Sequence, residues 1–137
     1  MAASTVIIVL KTLTLMKSGD RDGTTEAYLN ISCNEKQPIS TSIVRAENKV
    51  VNWDNKKYKC EVDDINNVSI KFDLYDKDFR NADDSMGSTT VKFNRDKPIT
   101  QTEKKDSINL HKKIEGKKHD VGILKYSIKY KKSSNKI

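Results

Sequence analysis

Hydrophobic and polar residues alternate with a period of two along most of this chain. Between residues 68 and 74 every second position is apolar, and Ser69, Lys71 and Asp73 lie between them. This alternation is typical of a β-strand with one buried side and one side in water. The same pattern recurs around residues 58–62 and 124–130. It also predicts strands over residues 5–13, 26–33, 40–46, 88–94 and, more weakly, 107–112.

Residues typical of turns separate these predicted strands, as in the segments 34–38 and 63–67. About eight short strands joined by such turns predict an all-β fold, an eight-stranded antiparallel β-sandwich. No stretch has a clear helical period, and the only candidate for a helical turn covers residues 97–105. The length of 137 residues fits one domain, which we place over residues 1–131, followed by a basic tail over 132–137.

The chain is strongly basic, with a formal net charge of +7 and a pI near 9.3. This charge favours an anionic partner: a phospholipid surface, nucleic acid or an acidic protein. We expect no nucleic-acid partner, because the basic residues are scattered over several strands and no recognition motif is present. The apolar run at residues 6–10 is too short to cross a bilayer, and no basic residues precede it as in an export signal. We therefore expect a cytoplasmic protein.

The chain has two cysteines, Cys33 and Cys60. Two cysteines without an export signal favour buried free thiols, and a disulfide bridge is the alternative. Neither cysteine has a base at a suitable spacing, so no nucleophilic catalysis is indicated. His111 and His119 lie in a lysine-rich segment without the ligand spacing of a zinc site. We therefore expect that the protein is not an enzyme.

Five acidic residues occur in two turn segments that are far apart in sequence. Each segment follows one apolar run and precedes another, so each is expected on a loop at the end of a strand. The first holds two of them and the second three: Asp20, Glu26, Asp76, Asp78 and Asp84. Carboxylates that lie close together repel each other. A calcium ion is the usual counter-ion for such a group, since it takes six to eight oxygen ligands. Neither segment has the glycine and glutamate positions of an EF-hand.

The second acidic segment resembles the third calcium-binding loop of C2 domains, β-sandwiches known for calcium-dependent phospholipid binding. Asp76, Asp78, Asp84 and Gly87 match the spacing of that loop. The resemblance covers nearly the whole chain, and the final segment over residues 122–130 is similar to the strand that ends one of the two circular permutations of the family. The second topology class of the C2 domain, in which this strand comes last, is therefore expected.

The first acidic segment is similar to the first C2 loop, with two departures. Asp20 and Glu26 stand six residues apart, as the family's two aspartates do, but Glu26 replaces an aspartate and Ala27 replaces a proline. Residues 52–55, Asn-Trp-Asp-Asn, resemble the second loop, although residues 50–51 are valines where Asn-Pro is common. Many relatives carry a lysine cluster for phosphoinositides at positions where this chain has polar residues, namely Asn30, Ser32, Thr41 and Ser42.

The resemblance implies a function and a set of site residues. Ca²⁺ would be held by five carboxylates and one backbone carbonyl, from Asp20, Glu26, Asp76, Lys77, Asp78 and Asp84. Bound calcium would cancel the negative charge of the loops and allow contact with anionic phospholipid such as phosphatidylserine. The expected contacts with the membrane are Met16, Lys17, Phe79 and Arg80. We expect a monomer that is cytoplasmic and associates peripherally with membranes when calcium rises.

One alternative function has the same fold but does not depend on calcium. Glu26 and the missing proline leave open a calcium-independent interaction module, which would grip a protein or a lipid headgroup through its basic face. Its basic residues include the lysine-rich segment 104–118. A protein therefore remains a second possible partner, in addition to the phospholipid membrane.

Overall fold

The computed structural model describes residues 3–16 and 25–133. Within them the chain forms nine β-strands and no helix. The strands are β1 (Ser4–Leu15), β2 (Glu26–Cys33), β3 (Ile39–Ser40), β4 (Val44–Arg45), β5 (Val50–Val62), β6 (Val68–Asp76), β7 (Asp84–Phe93), β8 (Lys104–Ile114) and β9 (Lys117–Lys132). The predicted all-β fold is confirmed, with the strand expected over residues 40–46 replaced by the two short strands β3 and β4.

The helical turn expected over residues 97–105 is wrong. Residues 97–103 form an irregular connection, and β8 begins at Lys104. The Asn94 side chain accepts hydrogen bonds from the backbone N–H groups of Asp96 and Lys97, both at 2.9 Å. The Asn94 N–H in turn donates to the Lys97 carbonyl at 3.0 Å. These bonds close a turn, and side-chain oxygens that bind the local backbone in this way compete with helix formation.

The strands pair antiparallel in the order β3-β2-β6-β7-β8-β9-β1-β5, and β4 also pairs with β2. Only one residue pair, Ser88 with His111, joins β7 to β8. The sheet therefore divides there into two layers, which pack on each other through one hydrophobic cluster. The last strand, β9, lies next to β1 and pairs with it from Ser4–Lys132 to Leu15–Gly122. That is the position expected for the closing strand of the second topology class.

The core is built from the alternation seen in the sequence. In β2, the side chains of Ala27, Leu29, Ile31 and Cys33 are buried and those between them are partly exposed. β6 contributes Val68, Ile70, Phe72 and Leu74 in the same way. Each large apolar side chain buried here contributes about 1.5–3 kcal/mol relative to an exposed one. This burial of one face per strand holds the two layers together.

β1 departs from the alternation because it is buried on both faces. Ile7 and Val9 point away from the core cluster, yet they are only 6% and 4% exposed. Ile7 lies between Lys59 of β5 and Lys129 of β9, and Val9 lies beside Lys57. Lysine side chains have long apolar stems that cover neighbouring apolar surface. On the outer face of this layer, lysine side chains therefore cover the apolar side chains of Ile7 and Val9.

Cys33 and Cys60 form a disulfide bridge, so the expectation of free thiols is wrong. The Cα atoms are 6.7 Å apart, and the residues are separated by 27 positions in sequence. Cys33 ends β2 in one layer, and Cys60 lies in β5 in the other. The bridge therefore ties the two layers together at their β2–β5 edge. The sequence pattern shows that both residues belong to strands, but not that these strands face each other.

The segment expected at the second loop is also placed differently. Residues 52–55 lie inside β5, where Asp54 and Asn55 have φ values of 55° and 60°. They form a bulge where the register between β1 and β5 shifts. The loop before β5 is instead a tight turn at Asn48 and Lys49, with φ values of 50° and 66°. Two consecutive positive φ values occur both in the bulge and in the tight turn, and Asn and Asp tolerate such values better than most residues do.

Candidate functional site

Four connections lie at the same end of the sandwich. β1 ends where β5 and β9 are paired with it, at Thr14–Val50 and Leu15–Gly122. β6 ends where β2 and β7 begin, at Ala27–Asp76 and Asp76–Asp84. We call this the loop end. It holds the connections β1–β2, β4–β5, β6–β7 and β8–β9.

The predicted ligands that the structure describes all lie at the loop end. Glu26 is the first residue of β2, Asp76 the last of β6, and Asp84 the first of β7. The Glu26 N–H donates to Asp76 Oδ1 at 3.1 Å, and the Lys77 N–H donates to the Glu26 carbonyl at 2.8 Å. These two bonds bring the acidic ends of β2 and β6 together. Asp20 and Lys17 lie outside the described residues.

Asp78 shapes the tip of the β6–β7 connection. Its Oδ1 accepts hydrogen bonds from the backbone N–H groups of Arg80 at 2.9 Å and Asn81 at 3.2 Å. The bond from Arg80, followed by that from Asn81, lowers the pKa of the Asp78 carboxyl, because both stabilise its charged form. The turn they close presents Phe79 to solvent with 76% of its surface exposed. Arg80 beside it is exposed as well.

Met16 is the other predicted membrane contact that the structure describes. It follows β1 directly and is 48% exposed. Its backbone N–H donates to the Val121 carbonyl of β9 at 2.8 Å, which holds it at the loop end. Two large apolar side chains, Met16 and Phe79, are therefore exposed at the same end of the molecule as the acidic residues.

Asp83 has a structural role that the sequence did not reveal. Its carboxylate accepts a hydrogen bond from the Tyr28 hydroxyl and another from the Asp78 N–H at 3.0 Å, and it lies 3.5 Å from Lys77 Nζ. The bond from Tyr28, then that from Asp78, lowers the pKa of Asp83. Burial, and then the same contact with Asp83, raises the pKa of Tyr28 to about 12. In the sequence Asp83 looks like any turn residue beside Asp84.

The side-chain oxygen atoms at the loop end are of the chemical type that calcium prefers. Glu26, Asp76, Asp78 and Asp84 offer carboxylate oxygens, the ligands that this hard cation prefers. In the part of the chain that is described, neither Asp78 nor Asp84 takes part in an ion pair. No three His, Cys, Asp or Glu side chains within residues 3–16 and 25–133 are placed to hold a metal ion together. The predicted ligand set also includes Asp20, which lies outside the described residues.

A cleft of about 920 Å³ adjoins these carboxylates. Asp76, Asp84 and Met86 line one wall, and Ile114 and Lys117 of the β8–β9 hairpin line the other. The cleft places basic and apolar groups of the hairpin beside two of the predicted calcium ligands.

The profile of one protein family, the C2 domain, matches residues 4–110 of the chain. The chain belongs to the C2 domain family. The match covers both acidic segments and most of the strands. No curated protein sequence is significantly similar to this C2 domain.

Solved structures show the same fold. The C2A domain of plant extended synaptotagmin 1 is 18% identical with a TM-score of 0.81, covering 98% of this chain and 99% of that one. A C2 domain-containing protein from a putative elicitor-responsive gene is 17% identical with a TM-score of 0.67, covering 99% and 96%. Human GIVD cytosolic phospholipase A2 is 10% identical with a TM-score of 0.75, covering 98% of this chain but only 18% of the enzyme. At these identities the likeness shows the fold alone.

No helix among the described residues of this C2 domain is long and apolar enough to cross a membrane.

Proposed function

We propose that this C2 domain is a non-enzymatic module that binds anionic phospholipid membranes in a calcium-dependent manner through its loop end. The observation that carries the proposal is the placement of four carboxylates predicted to bind calcium at the end that also exposes Met16 and Phe79. Phosphatidylserine is the proposed lipid, and the module acts as a monomer.

The proposed ligands of Ca²⁺ are the carboxylates of Asp20, Glu26, Asp76, Asp78 and Asp84 together with the carbonyl of Lys77. Bound calcium would supply positive charge at the loop end and open coordination positions for lipid phosphate. The hydrogen bond from the Glu26 N–H to Asp76 supports this set, since it keeps the ends of β2 and β6 together. Glu26 is one methylene longer than the family's aspartate, so its carboxylate reaches further from β2.

The charge distribution explains why calcium would act as a switch. Without the ion, the carboxylates of the β1–β2 and β6–β7 connections at the loop end repel an anionic membrane, although the whole chain has a net charge of +7. Neutralising that end removes the repulsion and lets the basic remainder of the protein attract the membrane. The strand ends already lie side by side, so calcium binding would require the carboxylate side chains to converge, since no three of those described are placed to hold a metal ion together.

The exposed side chains at the loop end support direct contact with the bilayer. Phe79 is proposed to enter the interface, and Arg80 beside it to meet lipid phosphates. Met16 and Lys17 are proposed to do the same from the β1–β2 connection. Exposure of a phenylalanine is costly in water, and burial in the interface recovers that free energy.

Co-sedimentation with phosphatidylserine vesicles, in calcium and in chelator, tests the proposal. We expect wild-type protein to bind only in calcium and Asp84→Asn to lose that binding. Asp63→Asn is a matched control, since it removes the same charge in the connection after β5, at the opposite end of the sandwich. Equal binding in chelator would contradict the calcium switch. Because both substitutions make the protein more positive, net charge alone would strengthen binding, so equal binding by Asp84→Asn and Asp63→Asn would contradict a ligand role for Asp84.

The second candidate is a calcium-independent module of the same fold, and the outer face of the β8-β9-β1-β5 layer favours it. Lys57, Lys59 and Lys129 lie there around Ile7 and Val9. Within the described residues none of these three lysines forms an ion pair. A protein or lipid headgroup bound there would persist in chelator and would weaken on replacing these lysines.

The proposed location is cytoplasmic, with peripheral recruitment to membranes when calcium rises. The bridge between Cys33 and Cys60 argues against this location, because structural disulfides persist mainly in oxidising compartments. Thiol trapping in cells separates the two cases. Free thiols at both cysteines support the reducing cytoplasm, and a bridged pair contradicts it.

A further inference from the structure

The β8–β9 hairpin extends past the end of β1 at the loop end. β1 ends at Leu15 opposite Gly122, so residues 117–121 of β9 continue without a partner in β1. The hairpin closes in a two-residue turn at Glu115 and Gly116, with φ values of 52° and 78°. Two positive φ values in a two-residue loop favour a tight turn that matches the twist of the strands.

Two contacts hold the base of this hairpin against β7, and a third lies within the hairpin. Lys112 Nζ donates to the Ser85 carbonyl at 2.8 Å, and His111 Nδ1 lies 2.8 Å from Asp120 Oδ1 across the hairpin. Gly87 approaches so closely that a Cβ there would lie 2.8 Å from the His111 carbonyl oxygen. The hairpin is therefore held beside the β6–β7 connection, which carries Asp78 and Phe79.

The facing charges of Lys113 and Lys118 do not stabilise the hairpin. Lys113 and Lys118 lie directly opposite each other, and both are exposed. Like charges in directly opposite positions destabilise a strand pair. Among the residues described, neither lysine forms an ion pair. An external anion would relieve this repulsion.

One large apolar side chain, Ile114, is exposed beside the Glu115–Gly116 turn of the hairpin. Ile114 is 50% exposed and lies opposite Lys117. Lysines around an exposed aliphatic side chain are typical of segments that lie in the interface of an anionic membrane. A nucleic acid or an acidic peptide would be recognised by the lysines but gives no reason for an exposed isoleucine on the same end as Met16 and Phe79.

We infer that the β8–β9 hairpin is an additional membrane-contacting element of this C2 domain, with Lys113 and Lys118 on anionic headgroups and Ile114 in the interface. The inference rests on the proposed membrane function and extends it to a third element of the loop end. Because the lysines are charged without calcium, the hairpin attracts the membrane before the loops are neutralised. Its contribution therefore does not itself require the ion.

The first test measures partitioning onto phosphatidylserine-containing vesicles in calcium and in chelator. K113Q/K118Q is expected to bind roughly tenfold to thirtyfold more weakly than wild type, since each lysine at an anionic surface contributes about a fivefold effect. K36Q/K92Q is the matched control, because it removes two exposed lysines at the opposite end of the sandwich, where Cys33 pairs with Ile70 and Lys92 with Ser69. Thermal melting of each variant verifies that it is folded.

The second test reports the position of the tip and does not depend on the lysine variants. Ile114→Trp places a fluorophore there, and the only native tryptophan, Trp53, is buried at 4% exposure. Vesicles containing brominated phospholipid are expected to quench the new tryptophan on binding. The same protein bound to vesicles without bromine gives the reference intensity.

The outcomes separate this inference from the proposed function. Calcium-dependent binding that is equal in K113Q/K118Q and K36Q/K92Q, without quenching at position 114, contradicts membrane contact by the hairpin and leaves the proposed function standing. Binding that is equal in calcium and in chelator, but is weakened by K113Q/K118Q, contradicts the calcium switch. If the tryptophan at position 114 is also quenched, membrane contact by the hairpin is supported. Absence of binding to these vesicles under both conditions overturns both.

Discussion

The hydroxyl of Tyr28 in β2 donates a hydrogen bond to the carboxylate of Asp83 in the β6–β7 connection. Asp83 also accepts a bond from the Asp78 N–H, so the position of one predicted calcium ligand depends on a residue outside the ligand set. Tyr28 stacks on Tyr75 of β6, with ring centroids 5.4 Å apart. The hydroxyl of Tyr28 therefore ties the β6–β7 connection, which corresponds to the third C2 loop, to β2.

Tyr28→Phe tests this brace through alkaline pH. Burial and the contact with Asp83 raise the pKa of Tyr28 to about 12, above roughly 10 for an unfolded tyrosine. A raised pKa contributes stability below the unfolded value, and that contribution is lost as pH rises through the folded value. We expect wild type to lose stability between about pH 10 and 12, and Tyr28→Phe to lose less. Denaturant midpoints across this range measure the effect, and parallel curves for the two proteins would contradict it.

The disulfide is expected to contribute strongly to stability. Closing a loop between cysteines 27 positions apart restricts the unfolded chain by roughly 3–4 kcal/mol in the chain-entropy description. Reduction should therefore lower the melting temperature of the wild type clearly. C33S/C60S should melt near the reduced wild type and show no response to the reductant. An unchanged melting temperature on reduction would mean that the bridge adds nothing to the packing of the two layers.

Asp83 and Asp84 are adjacent in sequence but are expected to act differently. Asp84→Asn should weaken calcium binding and leave the melting temperature in chelator unchanged, because Asp84 is an exposed proposed ligand. Asp83→Asn should lower the melting temperature in chelator, since Asp83 holds Tyr28 and the Asp78 N–H. Ligand binding to the folded state raises the melting temperature, so the shift on adding calcium reports affinity. A loss of stability in Asp84→Asn that equals that in Asp83→Asn would contradict separate roles.

Phe79→Ala is expected to weaken vesicle binding without changing calcium affinity in solution. Phe79 is 76% exposed at the loop tip, so its removal leaves no cavity in the core. The backbone bonds to Asp78 that shape the tip come from Arg80 and Asn81 and stay in place. Calcium titration without vesicles and co-sedimentation with them measure the two effects separately. Equal vesicle binding by both proteins would exclude Phe79 from the interface.

Strand positions were predictable because burial alternates locally along a strand. β2 occurs over Glu26–Cys33 as expected, and the alternation in β6 marks its buried side chains correctly. Boundaries were less predictable where strands extend past their apolar residues. β8 covers Lys104–Ile114, and the lysines at both ends of it give no apolar signal.

The sequence predicted which acidic residues lie in the loops, but not which of them form structural hydrogen bonds. The spacing of Asp76, Asp78 and Asp84 pointed to one end of the molecule, and the structure places them there. Nothing in the sequence distinguished Asp83, because its partner Tyr28 is 55 positions away. The second loop was assigned to residues 52–55, although the turn lies at Asn48 and Lys49. Bulges and turns use the same residue types, so composition does not separate them.

The sequence by itself determined the fold class, the inward face of most strands, and a family resemblance carried by acidic residues at matching spacing. These features follow from local alternation and from residue type. Only the tertiary structure decided that Cys33 meets Cys60, that Asp83 braces the third loop through Tyr28, and that the β8–β9 hairpin stands beside that loop. Each depends on which strands face each other or end together, and that arrangement is set by packing between segments far apart in the chain.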